Sequence, residues 1–415
     1  MEWLKIGLFT DSYFPQVSGV ATSIKTLKDQ LERLGNEVYI FTTTDPNVTV
    51  DDPQIIRMPS VPFISFTDRR IVVRGMIDAY QIAKEKGLDL IHTQTEFGVG
   101  LLGQLVARKL KIPVIHTYHT MYEDYLHYIA KGKVIRKSHV RYLTRLYANH
   151  TDAVVCPSER VSQTLIDYGV TRPLKVIPTG IELERFVRPD ITSEMTAQLR
   201  KDLGIQEDQI MLLSLSRISY EKNIQAIIQG MPQVLLMMPN VRLVVVGKGP
   251  YLENLQKQVH DLGLQDYVQF TGEVENDKVA YYYRAADYFV SASTSESQGL
   301  TYTESMAAGT PIVVEGNAYL DALIDHPSLG VTFKEDADFA ECLMAYIHSG
   351  VQPDAQILKD KLYSISADCF GDTMFDFYQQ VLAEYAQKEI KTKSSSIAKI
   401  KVKLSAIKPS ITREK

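Results

Sequence analysis

Only three cysteines occur in 415 residues, Cys156, Cys342 and Cys369, far apart and without the spacing of metal ligands. That count argues against a disulfide framework or a zinc site and suits reduced, cytoplasmic surroundings. No apolar run approaches the roughly 18 residues of a membrane span. The apolar start of the chain gives way at Asp11 and is too short for a secretory signal, so neither an integral nor an exported protein is expected. A third glycine is missing as well. Val244-Val-Val-Gly247-Lys-Gly249-Pro250 runs from a strand into a glycine turn without completing a dinucleotide fingerprint. NAD binding is disfavoured, and the segment reads as a structural turn with Pro250 at the first helical position.

What is present describes a globular protein: 45% hydrophobic and 23% charged residues, in a length that suits two domains. The net charge of −5 is unevenly spread. From Lys388 to Lys415, nine basic and two acidic residues carry +7, which leaves −12 on the preceding chain. A basic tail on an acidic body suits contact with an anionic surface, the alternative being solvated chain.

Hydrophobic periodicity alternates strand and helix twice along the chain. Strands are expected at Lys5–Phe9, Glu37–Thr42, Gln54–Met58, Leu88–His92, Pro113–His116, Asp152–Pro157 and Lys175–Pro178, with helices at Gly19–Leu34, Met76–Lys86 and Gly98–Leu110. After a polar stretch, read as a linker around residues 181–208, strands recur at Ile210–Ser216, Val241–Gly247, Val268–Thr271, Tyr288–Ser291 and Ile312–Val314. Helices are expected between them at Ile224–Met237, Tyr251–Leu262, Asp277–Ala285 and Leu300–Ala308. The expected class is α/β: two Rossmann-like doubly wound parallel-sheet domains, residues 1–185 and 186–369, facing a central cleft. An amphipathic helix over 370–387 and the basic tail 388–415 follow.

Function should lie on loops at the carboxyl ends of the strands. Arg217 and Lys222 follow the first strand of the second series, and two cations on one cleft loop suit a diphosphate. Glu296 and Glu304 bracket a glycine turn, with the backbone around Gln298, Gly299 and Leu300 opening a helix. Two carboxylates flanking free N–H groups suit a ligand with hydroxyls at both ends and phosphate between; the alternative is a helix start whose acids complement its dipole. In the first series, Gly19 opens a helix and permits close approach of a ligand. His116 and His119 follow a strand, and His119, past its end, is the better functional candidate.

Glu296 and Glu304, Arg217 and Lys222, Gly19 and His119 stand in the order found in retaining GT-B glycosyltransferases of family 4, which the chain resembles over nearly its whole length. That resemblance implies donor binding by Gly19, Arg217, Lys222, Val274, Glu296, Gln298, Gly299, Leu300 and Glu304. The diphosphate falls to Arg217 and Lys222, the ribose to Glu304, the hexose to Glu296, and the nucleobase to Thr271-Gly272-Glu273-Val274. His119, Arg217, Lys222 and Glu296 are the catalytic candidates, and the C-terminal helix is expected to cross back onto the first domain. The chain departs from the family at Gln298, where many members have Phe, and at Ser18, often a glycine. Within the family, Asp11–Ile24 and Ser295–Glu304 look like bacterial diacylglycerol glucosyltransferases. UDP-glucose, diacylglycerol and anionic membrane lipids are the implied partners, and nucleic acid is not. No cofactor or metal site is implied; Mg2+ would stimulate, if at all, without protein ligands. Other acceptors, a UDP-sugar 2-epimerase and a non-catalytic sugar- or membrane-binding module are the rival readings.

A lipid acceptor fits one further stretch. Lys131, Lys133, Arg136, Lys137, Arg141 and Arg145 occur without an acidic residue among them, interleaved with Tyr142, Leu143, Leu146 and Tyr147. Basic and aromatic residues on a helix compose an interfacial anchor, the alternative being a core-packed helix with a solvated basic face. Arg69, Arg70 and Arg74 would extend the patch, and the enzyme would sit in the cytoplasm, peripheral on the inner face of the cell membrane. In the tail, Ile397, Ile400, Leu404 and Ile407 share a helical face while Ile400, Val402 and Leu404 alternate at strand period, so both conformations stay open.

Overall fold

Ile6 and Leu8, like Leu243, Val244, Val245 and Val246, are at most 1% exposed. Consecutive strand residues buried on both faces require helices on both sides of a parallel sheet. A computed structural model of the chain describes residues 3–16, 18–48, 52–63, 66–72, 75–123, 136–293 and 298–406; at 62–63, 66–69, 71, 389 and 392–406 it describes backbone alone.

The first sheet contains β1 (Lys5–Phe9), β2 (Glu37–Thr43) and β3 (Ile55–Met58). A separate antiparallel hairpin follows, β4 (Ser60–Phe63) and β5 (Phe66–Val72). The sheet resumes with β6 (Leu90–Thr93), β7 (Val114–Thr117), β8 (Ala153–Cys156) and β9 (Leu174–Val176). Its order is β3-β2-β1-β6-β7-β8-β9, parallel throughout. Helices α1 (Gly19–Arg33), α2 (Met76–Lys86), α3 (Gly98–Leu110), α4 (Lys137–Ala148) and α5 (Glu159–Asp167) connect these strands.

The second sheet is ordered β12-β11-β10-β13-β14-β15, again parallel. Its strands are β10 (Ile210–Leu215), β11 (Val241–Val246), β12 (Val268–Gly272), β13 (Tyr288–Ser291), β14 (Ile312–Glu315) and β15 (Gly330–Phe333). Helix α6 (Ser193–Asp202) precedes it, and α7 (Ile224–Met237), α8 (Leu252–Asp261), α9 (Val279–Ala285), α10 (Leu300–Ala307) and α11 (Ala318–Leu323) connect its strands. Helices α12 (Phe339–His348), α13 (Ala355–Ser364) and α14 (Ala367–Ala406) end the described chain. The strand order reverses between β1 and β6 and again between β10 and β13, and a crevice opens beyond the carboxyl ends of the strands at such a point.

Four expectations change. The stretch 181–208 is folded onto the second domain: Ile181, Phe186, Ile191 and Ile205 enter its core, and Arg200 bonds Ala285 O and the Asp287 carboxylate. Ile191, Met195, Leu199 and Leu203 recur every fourth residue through α6, a helical period set among many polar residues. Pro250 precedes the cap residue Tyr251 and therefore lies outside α8. The basic helix begins at Lys137, with 124–135 outside the described residues. The C-terminal helix is longer than expected, and the tail's backbone is helical as far as Ala406.

Helix α14 buries Phe370, Met374, Phe377, Tyr378 and Val381 in the core of the first domain, against residues of α1 and β1. These positions recur at three- and four-residue intervals, one stripe of the helix. Phe377→Ala should cost about 3–5 kcal/mol of stability, the range for truncating a buried Phe. Denaturant unfolding measures it, and a loss below about 1 kcal/mol would show that α14 is not integral to this core.

Candidate active site

Arg217 lies exposed in the loop after β10, and Lys222 ends a single 3-10 turn, Tyr220–Lys222, directly before the amino end of α7. The unsatisfied N–H groups of a helix start add to the positive potential there. This loop is held by its neighbour after β11: the Ile218 N–H donates to Lys248 O at 2.9 Å. Gly247 and Gly249 are glycines for that reason, since a Cβ at either would meet Ser216 O or Ile218 O at 2.0 and 2.1 Å. A packing contact accounts for this glycine turn.

Gly299 has φ +80° and caps the start of α10, and a Cβ there would strike the Tyr302 ring at 2.4 Å. Glu296 lies outside the described residues. Glu304, on the second turn of α10, is half-buried and accepts a hydrogen bond from the Tyr283 hydroxyl at 2.9 Å. Burial raises its carboxyl above the ordinary value, with Tyr283 and the nearby Arg185 acting the other way. A carboxylate so placed is short of donors and suited to take hydroxyl groups from a ligand. Val274 is half-buried in the loop after β12, packed against the same core.

In the first domain, Gly19 opens α1 beside Ser18, whose Oγ accepts from the Ala21 N–H at 3.1 Å. A Cβ on Gly19 would meet nothing within 4 Å, so no contact inside the protein calls for glycine here. His119 stands just past β7, half-buried, and its Nε2 lies 2.7 Å from Gln94 Oε1. Burial pushes its pKa down to about 3. His119 is therefore neutral throughout the physiological range, a hydrogen-bonding group and no proton shuttle. His116 is a core residue, between Thr93 and the Glu96 carboxylate.

The two halves meet at Gln298. Its Oε1 accepts from the Thr179 N–H and its Nε2 donates to Thr179 O, each at 2.7 Å and buried. The Gln298 side chain is thus engaged between the domains, and the backbone from Gln298 to Leu300, the part expected to meet the donor, opens α10. Thr179 follows β9 and Gln298 follows β13, so this contact joins the carboxyl ends of one sheet to those of the other. Sequence reasoning missed Tyr283, Arg185 and Gln94. Gln94 carried a readable signal, a polar residue immediately after a strand.

The basic patch is mixed. Arg141 donates to Glu123 at 2.8 Å and Lys137 lies 3.8 Å from the same carboxylate. Arg136 and Arg145 also belong to α4 or its cap, whereas Lys131 and Lys133 lie outside the described residues. Arg70 donates to Ser60 O at 2.8 Å and so braces the hairpin; Arg74 and the Arg69 side chain are not described. Among the described residues no helix is long and apolar enough to cross a membrane, and no three His, Cys, Asp or Glu side chains are grouped to hold a metal ion.

Sequence models of Glycosyltransferase Family 4 and of Glycosyl transferases group 1 match residues 17–185 and 195–359. The chain is 53% identical, over 93% of its length and 88% of the relative's, to the alpha-monoglucosyldiacylglycerol synthase of Streptococcus pneumoniae. It is 33% identical to the protein of the same name from Acholeplasma laidlawii, over 82% of this chain and 87% of that one. Among solved structures, the Anabaena HepE complex with UDP superposes with a TM-score of 0.71 at 17% identity, covering 91% of this chain and all of the other. The Thermosynechococcus elongatus sucrose-phosphate synthase does so at 0.70 and 21% identity, covering 92% of this chain and all of the other.

Because burial raises the Glu304 carboxyl in the folded state, whatever stability this group contributes is present below the unfolded carboxyl value and lost as pH rises through the folded one. Glu304→Gln should accordingly raise the thermal stability of the unliganded protein at pH 8, with the gain shrinking toward about pH 4. Melting curves across that range are the measurement, and a variant no more stable than wild type at pH 8 would refute it.

Proposed function

The chain belongs to the family 4 glycosyltransferases and has their GT-B fold, and from that premise we propose that it transfers glucose from UDP-glucose to diacylglycerol, with retention at the anomeric carbon. It is a hexosyltransferase. The observation that carries the acceptor is the 53% identity over 93% of the chain to a protein named for that product.

In this reading Arg217 and Lys222 bind the diphosphate together with the amino end of α7, Glu304 takes the ribose hydroxyls, Val274 borders the base, and Glu296 holds the hexose with the backbone at Gln298–Leu300. Gly19 leaves room for the donor at the start of α1, and neutral His119 borders the sugar from the facing domain. Charge develops on the departing diphosphate, so preorganised cations and helix N–H groups are the main source of acceleration. Retention follows if the alcohol enters on the face the leaving group vacates, with a phosphate oxygen taking its proton. The two-carboxylate scheme of glycosidases is not invoked: Glu304 serves as a hydroxyl acceptor beside Tyr283.

The acceptor lives in a bilayer, and α4 offers a surface for one. Tyr142, Leu143 and Leu146 are 55%, 60% and 44% exposed, among Arg136, Arg141 and Arg145. Phe97, Leu101 and Leu105 are exposed along α3, which meets α4 where Gln104 donates to Tyr147 O at 3.1 Å. Exposed apolar side chains rimmed by Arg favour an interfacial helix over a merely solvated one. The enzyme would then work in the cytoplasm, peripheral on the inner face of the cell membrane.

With diacylglycerol in mixed micelles, label from radioactive UDP-glucose should enter a chloroform-soluble product, and UDP-galactose should serve poorly. Lys222→Ala should lower kcat by roughly a hundredfold or more, as loss of one preorganised charge does. Unlabelled lipid from the wild-type enzyme would end the acceptor assignment, and an unchanged Lys222→Ala rate the diphosphate assignment. Leu143→Ser with Leu146→Ser should weaken binding to anionic vesicles by about tenfold or more, and added salt should weaken it in the wild type. Binding indifferent to both would remove α4 from the membrane contact.

A further inference from the structure

The polar core of the first domain contains groups that the proposed roles leave unused. His92 bonds the Tyr378 hydroxyl of α14 at 2.6 Å and Thr117 at 2.7 Å, and His116 bonds Thr93 and Glu96. At the cleft end of this row stands Gln94, immediately after β6 and 2% exposed. Its Oε1 takes the hydrogen bond to His119 Nε2 at 2.7 Å. An amide oxygen only accepts, so the Nε2 of His119 bears the proton and its Nδ1 keeps a lone pair. The other half of the amide is idle: among the described residues, Gln94 Nε2 is buried without a hydrogen-bond partner. An orphaned donor inside a core destabilises the fold, and an apolar side chain of similar length would avoid it. The amide is retained at a cost to stability, and among the described residues the one side chain it engages is His119.

We propose that Gln94 is a positioning residue for glycosyl transfer, locking His119 as the Nε2–H tautomer so that Nδ1 is presented as the acceptor for a substrate hydroxyl. This rests on the reading that sets His119 beside the sugar. The group acts through His119 and touches no substrate itself. The titratable groups that face His119 are His116 on β7 and His92 on β6, with Glu96 beyond His116. Among the described residues no carboxylate bonds the ring directly, and burial keeps the imidazole neutral; an acid in place of Gln94 would favour the imidazolium and abolish the lone pair.

Full-length Gln94→Met, Gln94→Glu and His119→Ala are compared with wild type in the micelle assay, with melting temperatures and histidine nitrogen chemical shifts. Gln94→Met removes the orphaned amide donor but takes the acceptor from the His119 Nε2–H. The two effects oppose, so its melting temperature should stay near that of wild type, while kcat falls roughly ten- to hundredfold at every pH, the effect of losing one oriented hydrogen bond. Gln94→Glu keeps an acceptor oxygen in place and should recover most of the rate at pH 8. It should then lose rate as pH falls, over a range where the wild type stays flat. Wild-type spectra should show His119 protonated at Nε2 alone. A wild-type rate in Gln94→Met, or a proton on Nδ1 of wild-type His119, overturns the proposal. Full activity in His119→Ala removes the site reading itself and the proposal with it. Loss in His119→Ala beside an unaffected Gln94→Met overturns the proposal alone.

Discussion

The chain passes between its two sheets at two places, and the crossings are bonded to each other. The Ile181 N–H donates to Ile365 O at 2.9 Å, and the Ala367 N–H donates to Ile181 O at 2.7 Å. These two bonds tie the crossings together at one edge of the cleft. Helix α14 depends on the return crossing, because it can bury Phe370–Val381 against α1 only after the chain has come back to the first domain. The Gln298–Thr179 bonds lie two residues from the outgoing crossing and join the loop that opens α10 to the same edge. Everything in the cleft is positioned relative to this pinned line.

Charge is divided unequally across the cleft. The second domain presents Arg217, Lys222 and helix starts, whereas the first presents the neutral His119, held against Gln94. On the proposed reading the division follows the reaction. Negative charge accumulates on the leaving diphosphate, and fixed cations stabilise it most where water is excluded. The sugar and the alcohol remain uncharged, so hydrogen-bonding groups held neutral by burial serve them better than ions. The exposed apolar side chains of α3 and α4 belong to the first domain, so on that reading the lipid and the uncharged half of the site would share one body.

Much of the fold could be read from residue patterns. Strands such as Val241–Val246 and helices such as Gly98–Leu110 announce themselves by period and by turn glycines, because burial on two faces leaves few alternatives. The folded segment 181–208 escaped notice because its core residues, among them Ile191, Leu199 and Leu203, are set among many charged and polar ones. The loop positions of Arg217, Lys222 and His119 were legible too, since a parallel strand that ends in polar residues marks the carboxyl edge of its sheet.

Partnerships between distant residues were decided by tertiary structure alone. Sequence determined that the chain makes two parallel α/β domains and which charged side chains stand at their strand ends, because both follow from local periodicity. It could not reveal that Gln298 spends its amide on Thr179, that Glu304 sits against Tyr283, or that His119 leans on Gln94. Those pairs are separated by 119, 21 and 25 residues, and no local rule brings them together. A side chain's chemistry at such a site is set by whatever packing places beside it, and packing is a property of the whole chain.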